Sequence, residues 1–288
     1  MTRTSPLILG ALLAGALLVP SAASAAPAPT CFGGHGDFTI VGTARGDVLV
    51  GTPGADRIYG AGGDDHIVGL GGDDILCGGA GGDRIVAGDG RDWIDGGDDP
   101  IHLRAEAGKR TADRADVILG GAGDDNAGGL DGDDYVDGGD GNDEIGGDRG
   151  RDVVIGGAGN DSTYGGFYPE ESGDDLLIGG DGDDHVTFAG GGDDRLIGGD
   201  GNDHLQGGLG DDYLSGGAGD DKVGLPWVDV EEGDDRLSGG VGDDQLDGGP
   251  GYDDANGDDG TDACVNGERI VGCELDELPA PLAALAGS

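Results

Sequence analysis

The 288 residues contain 70 Gly and 60 acidic side chains against 15 basic ones, a formal charge of -45. Twelve aromatics and one Met cannot fill the bulky core that a catalytic α/β or helical domain of this length needs, which argues against most enzyme folds. A polyanion is repelled by nucleic acid and by anionic membrane, so neither is an expected partner, and a polyvalent cation is the natural counterpart.

Residues 1–26 open with Arg3, continue as an apolar stretch from Leu7 to Val19 and close in Ala23-Ser24-Ala25. This is the pattern of a secretory signal peptide cleaved near Ala25 or Ala26, and the apolar stretch is short for a bilayer span of about 20 residues. Loss of Arg3 would leave the mature chain at -46. A secreted, extracellular product with no transmembrane segment after signal removal is expected. Export also favours disulfides among the four cysteines, for which three pairings exist. Cys31–Cys77 with Cys264–Cys273 would staple each end; four free buried thiols are the other reading.

After a short N-terminal cap (27–41), the chain from 42 to 265 falls into nine-residue units, such as Gly138-Gly139-Asp140-Gly141-Asn142-Asp143-Glu144-Ile145-Gly146. Twenty-two units are counted, and the sixth position is always Asp. Two residues later stands an apolar side chain, as at Ile58, Ile67, Leu76, Val136, Leu205 and Leu246, with Ala127, Thr163, Ala255 and Cys264 as weak members. Glycines at positions one, two and four suit a six-residue turn, and the last three residues suit a short strand whose central aliphatic faces one way. Stacking such strands in parallel builds two facing sheets with a thin aliphatic core and aligned aspartates along each rim. So thin a core does not offset the ordering entropy of a glycine-rich chain, and cations must bind the rims. Oxygen donors of this kind suit calcium better than magnesium. If turn n pairs with turn n+2, twenty-two turns allow at most twenty sites.

The pattern G-G-x-G-x-D-x-U-x, with U aliphatic, resembles the RTX or haemolysin-type calcium-binding nonapeptide, over residues 42–265. That resemblance implies an all-β fold, a right-handed parallel β-roll or two-sheet solenoid of about 22 nonapeptide units, with multiple Ca2+ held between adjacent turns. It also implies that the sixth-position carboxylates are ligands: Asp65, Asp74, Asp83, Asp92, Asp125, Asp134, Asp143, Asp152, Asp161, Asp184, Asp194, Asp203, Asp212, Asp221, Asp244 and Asp253, and less securely Asp47, Asp56, Asp116, Asp175, Asp235 and Asp262. The first two units begin Gly42-Thr43 and Gly51-Thr52 and are expected to be capping turns that bind calcium poorly. An ordinary signal peptide departs from the Gram-negative members and looks more like secreted repeat proteins of high-GC Gram-positive bacteria.

Insertions fall near 98–115, 167–172 and 225–232, with one extra residue near Ala189. All lie in odd-numbered units and should share one side of a two-sided roll. With Phe167, Tyr168, Trp227, Arg104, Lys109, Arg110 and Arg114, such an edge could meet a cell-surface or protein partner; tolerated drift is the plainer reading. His185 and His204 hold the same position in units 14 and 16 and read as a transition-metal pair or, more plainly, as two solvated histidines. Residues 266–288 form a C-terminal cap and tail.

The expectation is therefore a monomeric, secreted, calcium-binding repeat protein that is not an enzyme, since H-E-x-x-H and G-x-S-x-G are missing. A calcium-dependent adhesive or envelope-associated protein is the alternative, and a remnant of an extracellular hydrolase comes third.

Overall fold

The computed structural model describes residues 30–31, 34–35, 38–97, 115–166, 173–187, 189–224 and 233–275. The expected signal segment, the body of each large insertion and the tail 276–288 lie outside these residues, as does the side chain of Cys31.

The chain winds through about eleven turns between two parallel sheets, a β-solenoid with no helix among the described residues. One sheet has thirteen strands, from Ile40–Val41 to Cys273–Leu275; the other has twelve, from Val48–Val50 to Arg269–Val271. Successive strands alternate between the sheets, so each strand pairs with the one two units away, as Arg57 with Ile75 and Ile58 with Leu76. A separate antiparallel pair, Thr30–Cys31 with Gly34–His35, precedes the roll.

The aliphatic at position eight points inward in every unit from Ile58 on, and these side chains form one continuous core. Ile58, Ile67, Ile85, Ile118, Leu177 and Leu205 are wholly buried, and the weak members Ala127, Thr163, Ala255 and Cys264 are buried in the same columns. The strands are longer than the three residues expected. Most run for six, as in Arg57–Gly62 and Tyr135–Asp140, because pairing with the neighbouring rung resumes at positions two and three after the chain has bent.

The three glycine positions have different causes. Position two adopts positive φ, as at Gly139 (φ 109), and so does position four, as at Gly159 (φ 143). From the third unit on, the backbone keeps the same left-handed shape where another residue replaces Gly at position two, at Ala61, Leu70, Leu130, Asp148 and Asp258. Position one needs space, for reasons given below.

The rung spacing is 18 residues, rising to 33, 23, 19 and 23 where extra residues enter. The excesses are the fifteen, five, one and five residues read from the sequence. Each interruption lies between a strand of the thirteen-stranded sheet and the next strand of the twelve-stranded one: Trp93–Gly97 to Val117–Ala122, Ser162–Tyr164 to Leu176–Asp181, His185–Thr187 to Arg195–Asp200, and Lys222–Val223 to Arg236–Val241. All four therefore leave and rejoin the roll along one edge.

Cys264 and Cys273 are disulfide-bonded, with Cα atoms 5.9 Å apart. Cys77 is also disulfide-bonded; the side chain of its expected partner, Cys31, falls outside the described residues.

Candidate metal centres

Each sixth-position aspartate is fixed by hydrogen bonds across a rung. The N–H of Asp65 donates to Oδ1 of Asp83 at 2.7 Å, while the N–H of Arg84 donates to the Asp65 carbonyl at 2.9 Å. The carboxylate contact repeats along both rims, for example Asp92 to Asp125, Asp143 to Asp161, Asp184 to Asp203 and Asp244 to Asp262. From Asp65 to Asp262 the sixth-position side chains are buried. The rims are thus lined by enclosed carboxylates, each using one oxygen to lock the preceding turn.

The other oxygen is the informative one. Oδ2 of Asp65, Asp74, Asp92, Asp125, Asp143, Asp152, Asp161, Asp175, Asp184, Asp194, Asp203, Asp212, Asp221, Asp244 and Asp253 is buried with no hydrogen-bond partner. A buried acceptor left unpaired costs about 1–3 kcal/mol, and more for a charged group, so fifteen of them in register call for a common ligand. The position-one glycine shows where these oxygens point. A Cβ on Gly60 would collide with both Oδ2 of Asp65 and the carbonyl of Gly78, and one on Gly198 would collide with Oδ2 of Asp203 and crowd the carbonyl of Gly216. Carboxylate and carbonyl oxygens therefore converge over a surface kept bare by glycine. This all-oxygen donor set fits a hard cation of flexible coordination such as calcium. Among the described residues no three His, Cys, Asp or Glu side chains converge, and the oxygens beside each position-one glycine are one carboxylate and one main-chain carbonyl, as at Gly60 and Gly198.

The first two units differ as their Thr residues suggested. Oδ2 of Asp47 accepts from the N–H and Oγ1 of Thr43, and Oδ2 of Asp56 accepts from the N–H and Oγ1 of Thr52. Threonine supplies from within the chain what the later turns leave open. Asp116, Asp175 and Asp262 share the burial of the main series despite irregular glycines, and Asp235 is slightly more open at 7% exposure.

Burial dominates the acidity of the rims. It lifts Asp175 and Asp212 to about 8, Asp125, Asp152, Asp184, Asp194 and Asp221 to about 7, and Asp92, Asp143, Asp203, Asp235 and Asp244 to about 6. The N–H donated from the preceding rung opposes the rise without cancelling it, and neighbouring aspartates add to it in most units. Without a cation, these groups favour the protonated form.

A second ladder was not anticipated. The residue before each rim aspartate, at position five, is often Asp or Asn, and its Oδ1 accepts the N–H of the following rung: Asp124 from Asn142, Asn142 from Asn160, Asn160 from Asp183, Asp183 from Asn202. Asp174, Asp193, Asp211 and Asp234 do the same on the opposite rim. Position six accepts from the rung before and position five from the rung after, so the turns are clamped in both directions. The recurrent Asp-Asp and Asn-Asp doublets were the available signal.

His185 and His204 are register partners with ring centroids 5.7 Å apart, edge to face. Only half of the solvated reading holds: His185 is exposed, but His204 is partly buried and its pKa falls to about 4, through burial and then the charges of His185 and Lys222.

A parallel roll whose rims repeat one turn lined by carboxylate and carbonyl oxygens defines a β-solenoid with oxygen-lined edges. The family model described as the RTX calcium-binding nonapeptide repeat matches residues 41–76, 78–99, 111–145, 138–167, 171–188, 188–223 and 229–263, and the chain belongs to that family. No curated protein matches this chain.

Proposed function

We propose that this protein is a secreted, non-catalytic calcium-binding roll that folds, and stays folded, through calcium ions held between stacked turns. The carrying observation is the register of buried, unpartnered Oδ2 atoms beside glycine carbonyls. Asp65, Asp74, Asp92, Asp125, Asp143, Asp152, Asp161, Asp175, Asp184, Asp194, Asp203, Asp212, Asp221, Asp244 and Asp253 would hold the ions, joined by Asp83, Asp116, Asp134 and Asp262 by position, while Asp47 and Asp56 serve as metal-free caps. Calcium would supply the positive charge that the enclosed carboxylates need, so that binding free energy becomes folding free energy.

Far-UV circular dichroism of the oxidised mature protein in chelator, followed by calcium titration with magnesium as control, tests this reading. A cooperative coil-to-β transition with calcium alone supports it; unchanged β structure in chelator overturns it. A second reading, an adhesive or envelope-associated role, draws on the single edge shared by all the insertions. Deletion of the fifteen, five and five extra residues within 98–115, 167–172 and 225–232, which restores the 18-residue rung, would then abolish cell-surface retention while leaving calcium binding intact.

A further inference from the structure

The repeat has a period of nine in its core but eighteen on its outside. In the thirteen-stranded sheet the third residue of the strands is mostly polar or small, as at Gly128 and Thr187 and at the buried Asp95, Gly146 and Gln206. In the twelve-stranded sheet the corresponding column runs Val68, Val86, Leu119, Ile155, Ile178 and Ile197 in consecutive register, broken once by Asp137, and then turns polar at Ser215, Ser238 and Asn256. The column beside it adds Val117, Val153, Leu176 and two tyrosines, Tyr135 and Tyr213. These side chains alternate outward, partly buried, while their neighbours enter the core. Among the described residues no third layer covers them.

The charges on this face also depart from the rest of the chain. In its two outward columns Arg84, Arg195, Arg236 and Arg269 stand against Asp137 and Asp254, with Asp258 bonded to Ser238 at one end, on a molecule whose net charge is -45.

We propose that this face is where two copies of the chain pack, sheet against sheet. Three features select a second copy. The aliphatic ridges repeat with the strand spacing of about 4.8 Å, and the surface with matching corrugation is the same face of another roll. Twelve strands at that spacing, about 10 Å wide, bury about 1,000 Å2 over both partners, the lower end for a specific interface and consistent with a micromolar dimer. Finally, a two-fold axis parallel to the strands, between Val153–Ala158 and Leu176–Asp181, sets Val153 and Ile155 against Leu176 and Ile178 of the other copy. The same axis brings Asp137 diagonally opposite Arg195 twice, and sets Arg84 opposite Arg236, three rungs out, also twice. The proposal rests on the calcium reading, because two bodies of this charge associate only once cations neutralise the rims, and it departs from the monomer expected from sequence.

Sedimentation equilibrium of the mature, calcium-loaded protein across micromolar concentrations reads the mass directly, with circular dichroism of the same samples reporting the fold. The expected result is a reversible dimer. Ile155→Asp with Ile178→Asp, both outward, should weaken it at least tenfold with an unchanged β spectrum, while His185→Asp, at an exposed position on the other sheet, leaves it intact. A folded monomer throughout, including one that binds lipid vesicles instead, overturns the proposal, as does a double variant that dimerises like the parent. If the roll is already folded in chelator, the calcium reading fails while the mass still decides the dimer.

Discussion

Replacing Asp184 by Asn preserves the side chain's shape and removes its charge. Asp184 is fully buried; its Oδ1 accepts the N–H of Asp161 at 2.8 Å, and its Oδ2 abuts Gly179 beside the Gly198 carbonyl. The amide keeps the first contact and offers a donor to that carbonyl in place of an acceptor. Burial raises the Asp184 carboxyl from 3.8 to about 7. A folded-state value above the unfolded one contributes stability below 3.8 that is lost as the pH rises through 7. Above neutral pH the charge therefore opposes the metal-free fold by at most about 4 kcal/mol, roughly three units at 1.36 kcal/mol each. Asp184→Asn should stabilise the roll when calcium is scarce and destabilise it when calcium is plentiful, because the variant cannot repay a bound cation. Urea unfolding followed by circular dichroism over a calcium series should give midpoint curves that cross, and equilibrium dialysis should count fewer ions on the variant. A parent more stable at every calcium concentration, with equal calcium bound, would refute the role given to Oδ2.

Other expectations follow from the same geometry. In chelator, the raised carboxyls from Asp92 (about 6) to Asp212 (about 8) favour the protonated fold, so β signal should grow as the pH falls from about 8 towards 3.8. Calcium-loaded protein should respond in the opposite sense, releasing its ions on acidification, which a calcium electrode would register. Thr52→Ala removes one hydrogen bond to Asp56 and should cost about 1 kcal/mol in urea unfolding with no change in calcium count. Leu205→Ala empties a fully buried site and should cost about 2–5 kcal/mol in calcium. Gly139→Ala would drive a methyl into the Gly121 carbonyl from a left-handed backbone and should cost about 3 kcal/mol or more.

The core and the rim aspartates were legible because side chains spell them out: one aliphatic and one Asp per nine residues fix the register, even at Thr163 and Ala255. The insertions were legible for the same reason, as departures from that count. The extent of the strands was hidden, since glycines that permit a turn also permit renewed pairing after it, and only neighbouring rungs decide where pairing resumes. Leu130 and Asp148 gave no sign of left-handed geometry, which stacking imposes against their preference. The position-five ladder went unread because Asp before Asp looks like surplus charge when its acceptor role depends on the next rung. The burial of His204 depends on neighbours that no local pattern encodes.

The difference between the two outer faces constrains how such a chain can change length. A strand takes its sheet from its parity, so gaining or losing one nonapeptide would move every downstream strand to the opposite sheet. Aliphatic columns would then continue as polar ones, and the edge carrying the insertions would change sides. Gain or loss of eighteen residues leaves every later strand where it was. The heritable module of this roll is therefore the full turn, and variation in its length should come in whole turns, while single nonapeptides remain units of folding.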